Sequence, residues 1–281
     1  MTIIRSVRKM QSVARRLAAR GKRIGLVPTM GYLHEGHLSL IRRAKKEAEV
    51  VITSIFVNPT QFAPNEDFAR YPRDEKGDVR KIKTAGGDIV FAPKASEIYP
   101  ADFQTYVNVE KLSQTLEGSV RPGHFRGVTT VVAQLFNITR PDVVVFGMKD
   151  FQQSVILRQM TEDLGYPIKY VVAPTVRESD GLAMSSRNKY LDTVARREAL
   201  CLYYALKTAR QMVAAGKTRT AIIAQEMRAV IRATCPTARI DYIAFTNMRT
   251  LESVRNVQRG TVVSLAVRVY GVRLIDNMKL R

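Results

Sequence analysis

The sequence predicts an α/β protein of two domains: a Rossmann-like parallel sheet with helices over residues 1–175, and a smaller α+β domain over residues 176–281. Two observations carry this prediction. Strand-like apolar runs alternate with helix-like segments up to residue 174, which is typical of a parallel sheet with helices on both faces. Beyond the polar, glycine-containing stretch "TVRESDGLAMSSRN", two long helical segments are followed by three strand-like ones. A chain of 281 residues is long enough for two such domains.

The elements of the first domain follow from the hydrophobic pattern in chain order. The basic N-terminal stretch is expected to form a first helix. The buried strand "RIGLVPT" then precedes a helix, "EGHLSLIRRAKKEAE", in which Leu38, Ile41, Ala44 and Ala48 share one side. The remaining alternating strands and helices are "VVITSIFVN", "DEKGDVRKIKTAG", "DIVFAP", "GVTTVVAQLFNIT", "DVVVFG", "DFQQSVILRQMTEDLG" and "PIKYVVAP". In such a sheet, ligands bind beyond the carboxyl ends of the strands, at the point where the strand order reverses.

The second domain is predicted to contain helices over 193–214 and 219–233 and the strands "RIDYIAF", "TVVSLAVRVYG" and "VRLIDNM". Its two cysteines, Cys201 and Cys235, match no metal or disulfide framework and are interpreted as ordinary thiols in a reducing compartment. No apolar run reaches the roughly 18 residues of a membrane helix. The N-terminus lacks the apolar core of a secretory signal. It could mimic an amphipathic, arginine-rich transit peptide, but a first helix is preferred because a strand of the predicted sheet follows it closely. We therefore expect a cytoplasmic protein.

The chain is strongly basic, with a formal net charge of +20. Such charge could attract polyanions, either nucleic acid or a polyphosphate substrate. However, the basic residues are not interleaved with aromatic ones, and Trp is absent, so the stacking surfaces of single-strand binders are not indicated. We interpret most of the charge as solvated helix faces and do not expect a nucleic-acid partner.

Two of the three histidines, His34 and His37, lie in "VPTMGYLHEGH", between a predicted strand and a predicted helix. A helix N-terminus leaves N–H groups unpaired and carries partial positive charge, so it attracts phosphate. Gly31 and Gly36 allow the backbone to approach a ligand, and histidines three apart in a helical turn face the same way. These features predict a phosphate site in which both imidazoles donate hydrogen bonds. The alternative is a capped loop with two packed histidines.

Two further stretches suit phosphate binding. In "FGMKDFQQ", Gly147 ends a strand, Lys149 offers an ammonium group and Asp150 is a candidate N-cap. In "MSSRN", two hydroxyls and a guanidinium lie in a polar segment. Taken alone, the first stretch could equally be a routine strand-to-helix turn with a surface lysine, and the second would be interpreted as a hydrophilic loop. The prediction therefore depends on their combination.

A turn after another predicted strand, "FVNPTQF", offers neutral hydrogen-bonding groups at Asn58 and Gln61 and an apolar wall at Phe62. The third histidine, His124, lies in "EGSVRPGHFRGV". We interpret His124 as part of a structural turn.

Taken together, the stretches "PTMGYLHEGHLSL", "IFVNPTQFAPNEDFARYPR", "LEGSVRPGHFRGVTTVV", "FGMKDFQQ" and "DGLAMSSRNKYL" resemble the pantothenate synthetase (pantoate–β-alanine ligase) family in order and spacing along nearly the whole chain. That family shares a HIGH-type signature with class I aminoacyl-tRNA synthetases. Here the signature is His34-Glu35-Gly36-His37, and 184–187 takes the place of the second, lysine-bearing signature. One departure is visible. The family usually has Gly-Glu-Lys-Asp where this chain has Gly147-Met148-Lys149-Asp150, so Met148 stands in place of the glutamate.

The resemblance implies ATP-dependent condensation of pantoate with β-alanine to pantothenate, on the way to coenzyme A. Pantoate would attack the α-phosphorus of ATP, and β-alanine would then attack the pantoyl adenylate. The resemblance implies catalytic roles for His37, His34 and Lys149, with His37 as a proton donor. It also implies an ATP site formed by Met30, Gly31, Tyr32, Leu33, His34, Glu35, Gly36, His37, Gly147, Met148, Lys149, Asp150, Val176, Met184, Ser185, Ser186 and Arg187.

For the other ligands, the resemblance implies Gln61 and Gln153 as contacts with pantoate and β-alanine, with Pro28, Met30 and Phe62 sheltering the methyl groups of pantoate. Mg²⁺ would be bound through the ATP phosphates, with no protein metal site. The second domain would be a lid with a hinge near 174–181, and the family is a homodimer in which "NEDFARYPRDEKGD" forms part of the contact.

Two other classes stay open from the sequence. One is another enzyme of the same superfamily, either an adenylyltransferase that keeps AMP on its product or a shortened aminoacyl-tRNA synthetase. The lack of an anticodon-binding region argues against the synthetase. The other is a non-enzymatic nucleic-acid binder, motivated by the net charge of +20 alone.

Overall fold

The structure, a computed structural model, describes residues 1–64 and 66–281. The chain divides into two units. The first comprises Met1–Gly147 and Ile156–Pro174, and the second comprises Met148–Val155 and Thr175–Arg281. Residues 148–155 therefore belong to the second unit, whereas the division predicted from the sequence placed them in the first domain. The reason is local, because the turn at 148–150 is hydrogen-bonded to the last strand of the second unit.

The first unit contains a six-stranded sheet in which every adjacent pair is parallel. Its strand order is β1-β4-β3-β2-β5-β6. The order reverses at β2, because the chain adds β3 and β4 on one side of β2 and β5 and β6 on the other. The carboxyl end of β2 is thus at the switch point of the sheet. The strands are β1 (Thr2–Ile4), β2 (Ile24–Thr29), β3 (Val50–Ile55), β4 (Ile89–Phe91), β5 (Val143–Gly147) and β6 (Lys169–Ala173).

Helices cover both faces of this sheet. One core, which includes Met10 of α1 and Phe136 of α6, packs on one face, and another, which includes Ile41 of α2 and Ile82 of α3, packs on the other. This arrangement confirms the predicted α/β class. The helices are α1 (Val7–Ala19), α2 (Glu35–Lys45), α3 (Glu75–Thr84), α4 (Ala95–Ile98), α5 (Glu117–Val120), α6 (His124–Thr139) and α7 (Phe151–Asp163), which begins in the second unit and continues into the first.

The second unit contains an antiparallel sheet of order β7-β8-β9 with helices packed on one face. Its elements are α8 (Thr193–Glu198), α9 (Cys201–Ala214), α10 (Thr220–Thr234), β7 (Arg239–Asn247), β8 (Thr261–Val269) and β9 (Val272–Lys279). Cys201 and Cys235 are free, buried thiols. Among the described residues, no helix has the length and apolar character needed to cross a membrane.

Two element predictions were wrong in detail, and one strand was not predicted. The predicted helix over 193–214 is two helices, because the N–H groups of Leu200 and Leu202 donate to carbonyls three residues back, those of Arg197 and Ala199, instead of four. Helix α6 starts at His124, three residues earlier than predicted, after Gly123 in the left-handed region at φ 79°. Strand β1 was not predicted, because three residues at a sheet edge carry too little periodicity.

The segment predicted for a dimer contact begins at Asn65, which lies outside the described residues. Within it, Asp74 caps α3 by accepting the Gly77 N–H at 2.9 Å, and Asp78 is 1% exposed. The Arg73 guanidinium donates to the carbonyls of Phe68 and Tyr71. Asp78 is therefore buried within this chain, whereas Arg73 and Asp74 are exposed and could still pair with a second copy.

Candidate functional site

The turn from β2 to α2 carries the two paired histidines. Its backbone enters the left-handed region at two successive residues, Gly31 (φ 83°) and Tyr32 (φ 52°), before His34 becomes the N-cap of α2. Glycine is required at 31, because a Cβ there would lie 3.0 Å from both Asp78 Oδ2 and Ile55 Cγ2. The turn thus directs the chain from the sheet edge straight into the first turn of a helix, as the sequence predicted.

The Asp78 side chain of α3 stabilises this turn through hydrogen bonds to its backbone. Its carboxylate accepts the backbone N–H of Tyr32 and of Leu33, both at 2.7 Å, and the Lys81 ammonium donates to the Leu33 carbonyl at 2.7 Å. Burial raises the pKa of the Asp78 carboxyl above its ordinary value, although the two N–H donors act in the opposite direction. The conformation of the turn therefore depends on a buried carboxylate more than forty residues away, which the sequence analysis did not identify as part of the site.

His34 and His37 are in contact at the start of α2. Their ring centroids lie 4.1 Å apart, and the backbone N–H of His34 donates to Nδ1 of His37 at 3.3 Å. Because Nδ1 is the acceptor, the proton of a neutral His37 is on Nε2. The arrangement therefore leaves Nε2 as the N–H donor of this ring, at a helix end that already favours negative charge.

Gln61 and Met30 are brought together in the first unit, as predicted for the pantoate region. Gln61 lies in a 3₁₀ turn, Pro59–Gln61, and its Nε2 is 3.1 Å from Sδ of Met30. The buried Asn58 side chain donates to Gln61 Oε1 at 3.2 Å and to the Gly127 carbonyl at 3.0 Å. The Gln61 amide is thus held beside Met30, the residue that follows β2.

The backbone of Gln61 is fixed by a second cluster. Nδ1 of His124 donates to the Gln61 carbonyl at 2.8 Å, and Nε2 lies 3.0 Å from the Arg121 guanidinium. Arg121 in turn makes two contacts of 2.6 Å with the Glu66 carboxylate. An arginine can only donate, so Nε2 is the acceptor and His124 is neutral. His124 therefore supports the Gln61 turn, a role that depends on contacts across the chain rather than on its own local sequence.

This cluster predicts a pH-dependent stability. Burial, with the nearby Arg121 charge, lowers the pKa of His124 from 6.5 to about 4, against the opposing influence of Glu66 and Glu117. Between those two pH values the unfolded chain binds a proton at this histidine that the folded chain excludes, so stability falls as the pH drops through the window. The difference corresponds to roughly 3 kcal/mol.

Urea unfolding at several pH values from 7 to 4 measures this effect. We expect a His124→Gln variant to lose less stability than the wild type over that range, because its side chain has no proton to gain. Equal pH dependence in the two proteins would contradict the assignment.

In the second unit, Lys149 lies in the 3₁₀ turn Met148–Asp150. Its ammonium is 3.5 Å from Asp150 Oδ1, and its side chain is 21% exposed. The amide nitrogen of Asn277 donates to the carbonyls of both Met148 (2.9 Å) and Lys149 (2.8 Å). The turn is therefore anchored to β9. Gln153, in the first turn of α7, is also in this unit and partly buried.

The serine-rich segment is ordered by short-range hydrogen bonds in the same unit. Met184 N donates to the Val176 carbonyl at 3.1 Å, which places these two predicted ATP residues side by side. Ser185 Oγ accepts the Arg187 N–H at 3.2 Å and begins the 3₁₀ turn Ser186–Tyr190. This polar segment thus forms a defined 3₁₀ turn, with hydroxyl and guanidinium groups close together in the chain.

The predicted residues are distributed over both units. Met30–His37, Gln61 and Gly147 are in the first unit, and Met148–Asp150, Gln153, Val176 and Met184–Arg187 are in the second. The supporting residues that the sequence analysis missed are Asp78, Arg121, Glu66 and Asn277. No local pattern marks them, because each is defined by a partner distant in the sequence.

The chain is similar to known proteins along its whole length. The family model described as pantoate-beta-alanine ligase matches residues 2–279. The chain is 50% identical over 280 residues to a pantothenate synthetase of Moorella thermoacetica (100% of this chain, 99% of the relative). It is 51% identical over 278 residues to one of Heliobacterium modesticaldum (99% of each).

Solved structures give the same result. A pantothenate synthetase from Thermus thermophilus superimposes with a TM-score of 0.95 at 43% identity, covering 100% of this chain and 99% of its own. A pantoate-beta-alanine ligase from Francisella tularensis, described as complexed with beta-gamma ATP and beta-alanine, superimposes with a TM-score of 0.82 at 35% identity, covering 99% of this chain and 97% of its own.

Proposed function

The chain belongs to the pantoate-beta-alanine ligase family, and from that premise we propose that it condenses pantoate with β-alanine through a pantoyl-adenylate intermediate, releasing AMP and pyrophosphate. One observation carries the proposal: the contact of 3.1 Å between Met30, which opens the histidine turn, and Gln61, the residue assigned to pantoate. Formation of an adenylate requires the pantoate carboxylate to approach the α-phosphorus, so the two binding regions must adjoin.

In the first step, a pantoate carboxylate oxygen attacks the α-phosphorus of ATP and the bond to pyrophosphate breaks. Nε2–H of His37 donates to the phosphoryl oxygen on which charge grows, and His34 completes the pair at the start of α2. Lys149, Ser185, Ser186 and Arg187 bind the remaining phosphate oxygens. Backbone at Met30, Gly147 and Val176 lines the adenosine, with the rest of Gly31–Gly36, Met148, Asp150 and Met184 around the nucleotide.

In the second step, the β-alanine amine attacks the carbonyl carbon of the adenylate. The bond between that carbon and the phosphate oxygen breaks, AMP leaves, and the amine nitrogen loses a proton. A mixed anhydride must be kept from water in the meantime. We propose that the second unit serves as a lid for this purpose, with the hinge near 174–181 as one of the places where the chain passes between the units.

Mg²⁺ accompanies ATP in this proposal and neutralises phosphate charge. The residues assigned to ATP are mainly N–H, O–H and guanidinium donors. Of the two carboxylates among them, Glu35 pairs with Arg42 and Asp150 lies beside Lys149. This donor set fits an ion that phosphate oxygens and water hold, rather than a protein cage.

Product analysis tests the proposal. With Mg²⁺, ATP and pantoate, the protein should release pyrophosphate, and AMP should accumulate fully only when β-alanine is added. Formation of ADP and orthophosphate would instead indicate an acyl phosphate and reject the adenylate. Tight RNA binding without ATP consumption would favour the nucleic-acid alternative.

Gln153 offers a test of the pantoate assignment. We expect Gln153→Ala to raise the pantoate KM about tenfold, the scale of one lost hydrogen bond, with a smaller change in the ATP KM. Gln159→Ala is the matched control, because Gln159 lies on the same helix and bonds only to Asp163 among the contacts described. A defect confined to the ATP KM would refute the assignment.

We further propose a homodimer formed by the first unit. With a net charge of +20 per chain, two copies repel each other at long range, and salt screens that repulsion. We propose that local apolar and arginine–carboxylate contacts hold the dimer, with Asp67 and Asp74 near Arg70 and Arg73 as candidate partners. Light scattering should show a dimer that persists or tightens as salt rises. A monomer at every salt concentration, or dissociation on adding salt, would contradict this proposal.

We also infer a cytoplasmic role in pantothenate biosynthesis, on the way to coenzyme A. The free thiols of Cys201 and Cys235 suit a reducing compartment. The strand order that reverses at β2 supports a Rossmann-like description of the ATP-binding sheet.

A further inference from the structure

Two consecutive residues of β9, Asp276 and Asn277, link the strand to two segments assigned to ATP. Both side chains are almost fully buried, at 3% and 5% exposure. Because successive side chains of a strand point to opposite faces, the two act on opposite sides of the sheet. Neither residue belongs to the catalytic or binding groups described above.

Asn277 acts on the lysine turn. Its single NH₂ group has two N–H donors, and both are used, one on the Met148 carbonyl at 2.9 Å and one on the Lys149 carbonyl at 2.8 Å. The two carbonyls belong to the peptide groups on either side of the Lys149 Cα, so the two bonds restrain both peptide planes. They therefore set the direction in which the Lys149 side chain leaves the backbone.

Asp276 acts on the segment that leads to the serine turn. Its carboxylate accepts the Arg177 guanidinium at 2.6 and 3.0 Å, a bidentate geometry, and also the Asn277 N–H at 2.8 Å. Arg177 donates as well to the Gly181 carbonyl at 3.0 Å and pairs with Ala183 in a β-bridge. Asp276 thus holds the base of the loop whose end carries Met184.

Asn277 is not part of a buried cluster in which every polar atom is hydrogen-bonded. Its Oδ1 and the hydroxyl of Ser264, its direct cross-strand neighbour, are buried without a hydrogen-bond partner among the described residues. A buried unpaired oxygen is unfavourable, so an apolar side chain would suit this face of the sheet better for stability alone. The compensating feature is the pair of bonds that the amide nitrogen makes to the lysine turn.

We propose that Asn277 is a positioning residue that acts through Lys149 on ATP, with Asp276 as its counterpart for the 177–184 loop. The proposal rests on the assignment of Lys149 to ATP in the proposed function. It does not require that pantoate be the second substrate.

A double-mutant cycle on ATP binding tests the proposal. The dissociation constant of ATP with Mg²⁺ is measured by calorimetry for the wild type, Asn277→Ala, Lys149→Ala and the double variant. We expect Asn277→Ala alone to weaken binding about fivefold to tenfold, the scale of one or two neutral hydrogen bonds. In the Lys149→Ala background the same change should have less than a twofold effect, because the group through which it acts is gone.

Ser264→Ala is the matched control, because it removes a buried hydroxyl from the same face without touching the turn, and its ATP affinity should equal that of the wild type. Should Asn277→Ala fail to fold, Asn277→Leu fills the same space without the buried oxygen and takes its place in the cycle.

Effects of Asn277→Ala and Lys149→Ala that multiply in the double variant would overturn the proposal, as would unchanged ATP affinity in a folded Asn277→Ala protein. Failure of the proposed function is distinguishable from both outcomes. It would show as normal coupling in the ATP cycle together with an absence of pantoate-dependent pyrophosphate release.

Discussion

Replacing His37 with alanine is expected to lower kcat about 10²–10³-fold, the largest effect of any single substitution proposed here. The reason is the proton on Nε2, which the bond from the His34 N–H to Nδ1 leaves as the ring's donor. A donor aimed at charge that develops during phosphoryl transfer stabilises the transition state more than the bound substrates, so the KM values for ATP and pantoate should change far less than kcat.

His37→Gln and His37→Asn test which ring nitrogen of His37 is needed. The glutamine amide can place an N–H near the position of Nε2, so part of the lost rate should return, whereas His37→Asn mimics Nδ1 and should not recover it. Initial-rate kinetics on the folded variants measure these differences in kcat. Wild-type kcat in His37→Ala would assign the ring to packing against His34, which it contacts with a centroid separation of 4.1 Å.

Replacing Asp78 with alanine is expected to have the next largest effect, on both stability and rate. Two backbone N–H groups, of Tyr32 and Leu33, would lose their acceptor beneath a turn whose backbone is in the left-handed region. Removing the acceptor should reduce the free energy of unfolding by about 2–5 kcal/mol. If the altered turn displaces His34 and His37 by about 1 Å, kcat should fall on the order of 10²-fold.

Asp78→Asn is the matched variant, because the amide keeps one acceptor oxygen at nearly the same size. It should fall between the wild type and Asp78→Ala in both thermal unfolding and kcat. An Asp78→Ala protein with wild-type kcat would show that the turn holds its conformation without α3.

The regular elements near the site could be predicted from sequence because their signals are local. The predicted strand "RIGLVPT" ends at Thr29, as β2 does. The predicted helix begins at Glu35, as α2 does. The glycines, the two histidines and the strand-to-helix context together indicated a phosphate site. These features act over a few residues, so periodicity and turn chemistry reveal them.

What could not be predicted depends on contacts between distant parts of the chain. Strand β1 exists because Thr2–Ile4 pair with β4, almost ninety residues away. The break near Ala199 was hidden because apolar residues continue through it and all are buried. Asp78 reads locally as an N-terminal charge on a helix, and Asn277 as a polar residue at a strand end. Their partners, Leu33 and Lys149, lie 45 and 128 residues away.

The central claim is that the pantoate carboxylate attacks the α-phosphorus of ATP. The most direct test follows a labelled carboxylate oxygen into the products. Pantoate carrying ¹⁸O in its carboxyl group is incubated with the protein, Mg²⁺, ATP and β-alanine, and the products are analysed by mass spectrometry. If the carboxylate attacks the α-phosphorus, AMP must acquire one ¹⁸O atom for each pantothenate formed, because the oxygen that bridges carbon and phosphorus leaves with AMP. Label in orthophosphate, or unlabelled AMP alongside pantothenate, would contradict the adenylate mechanism.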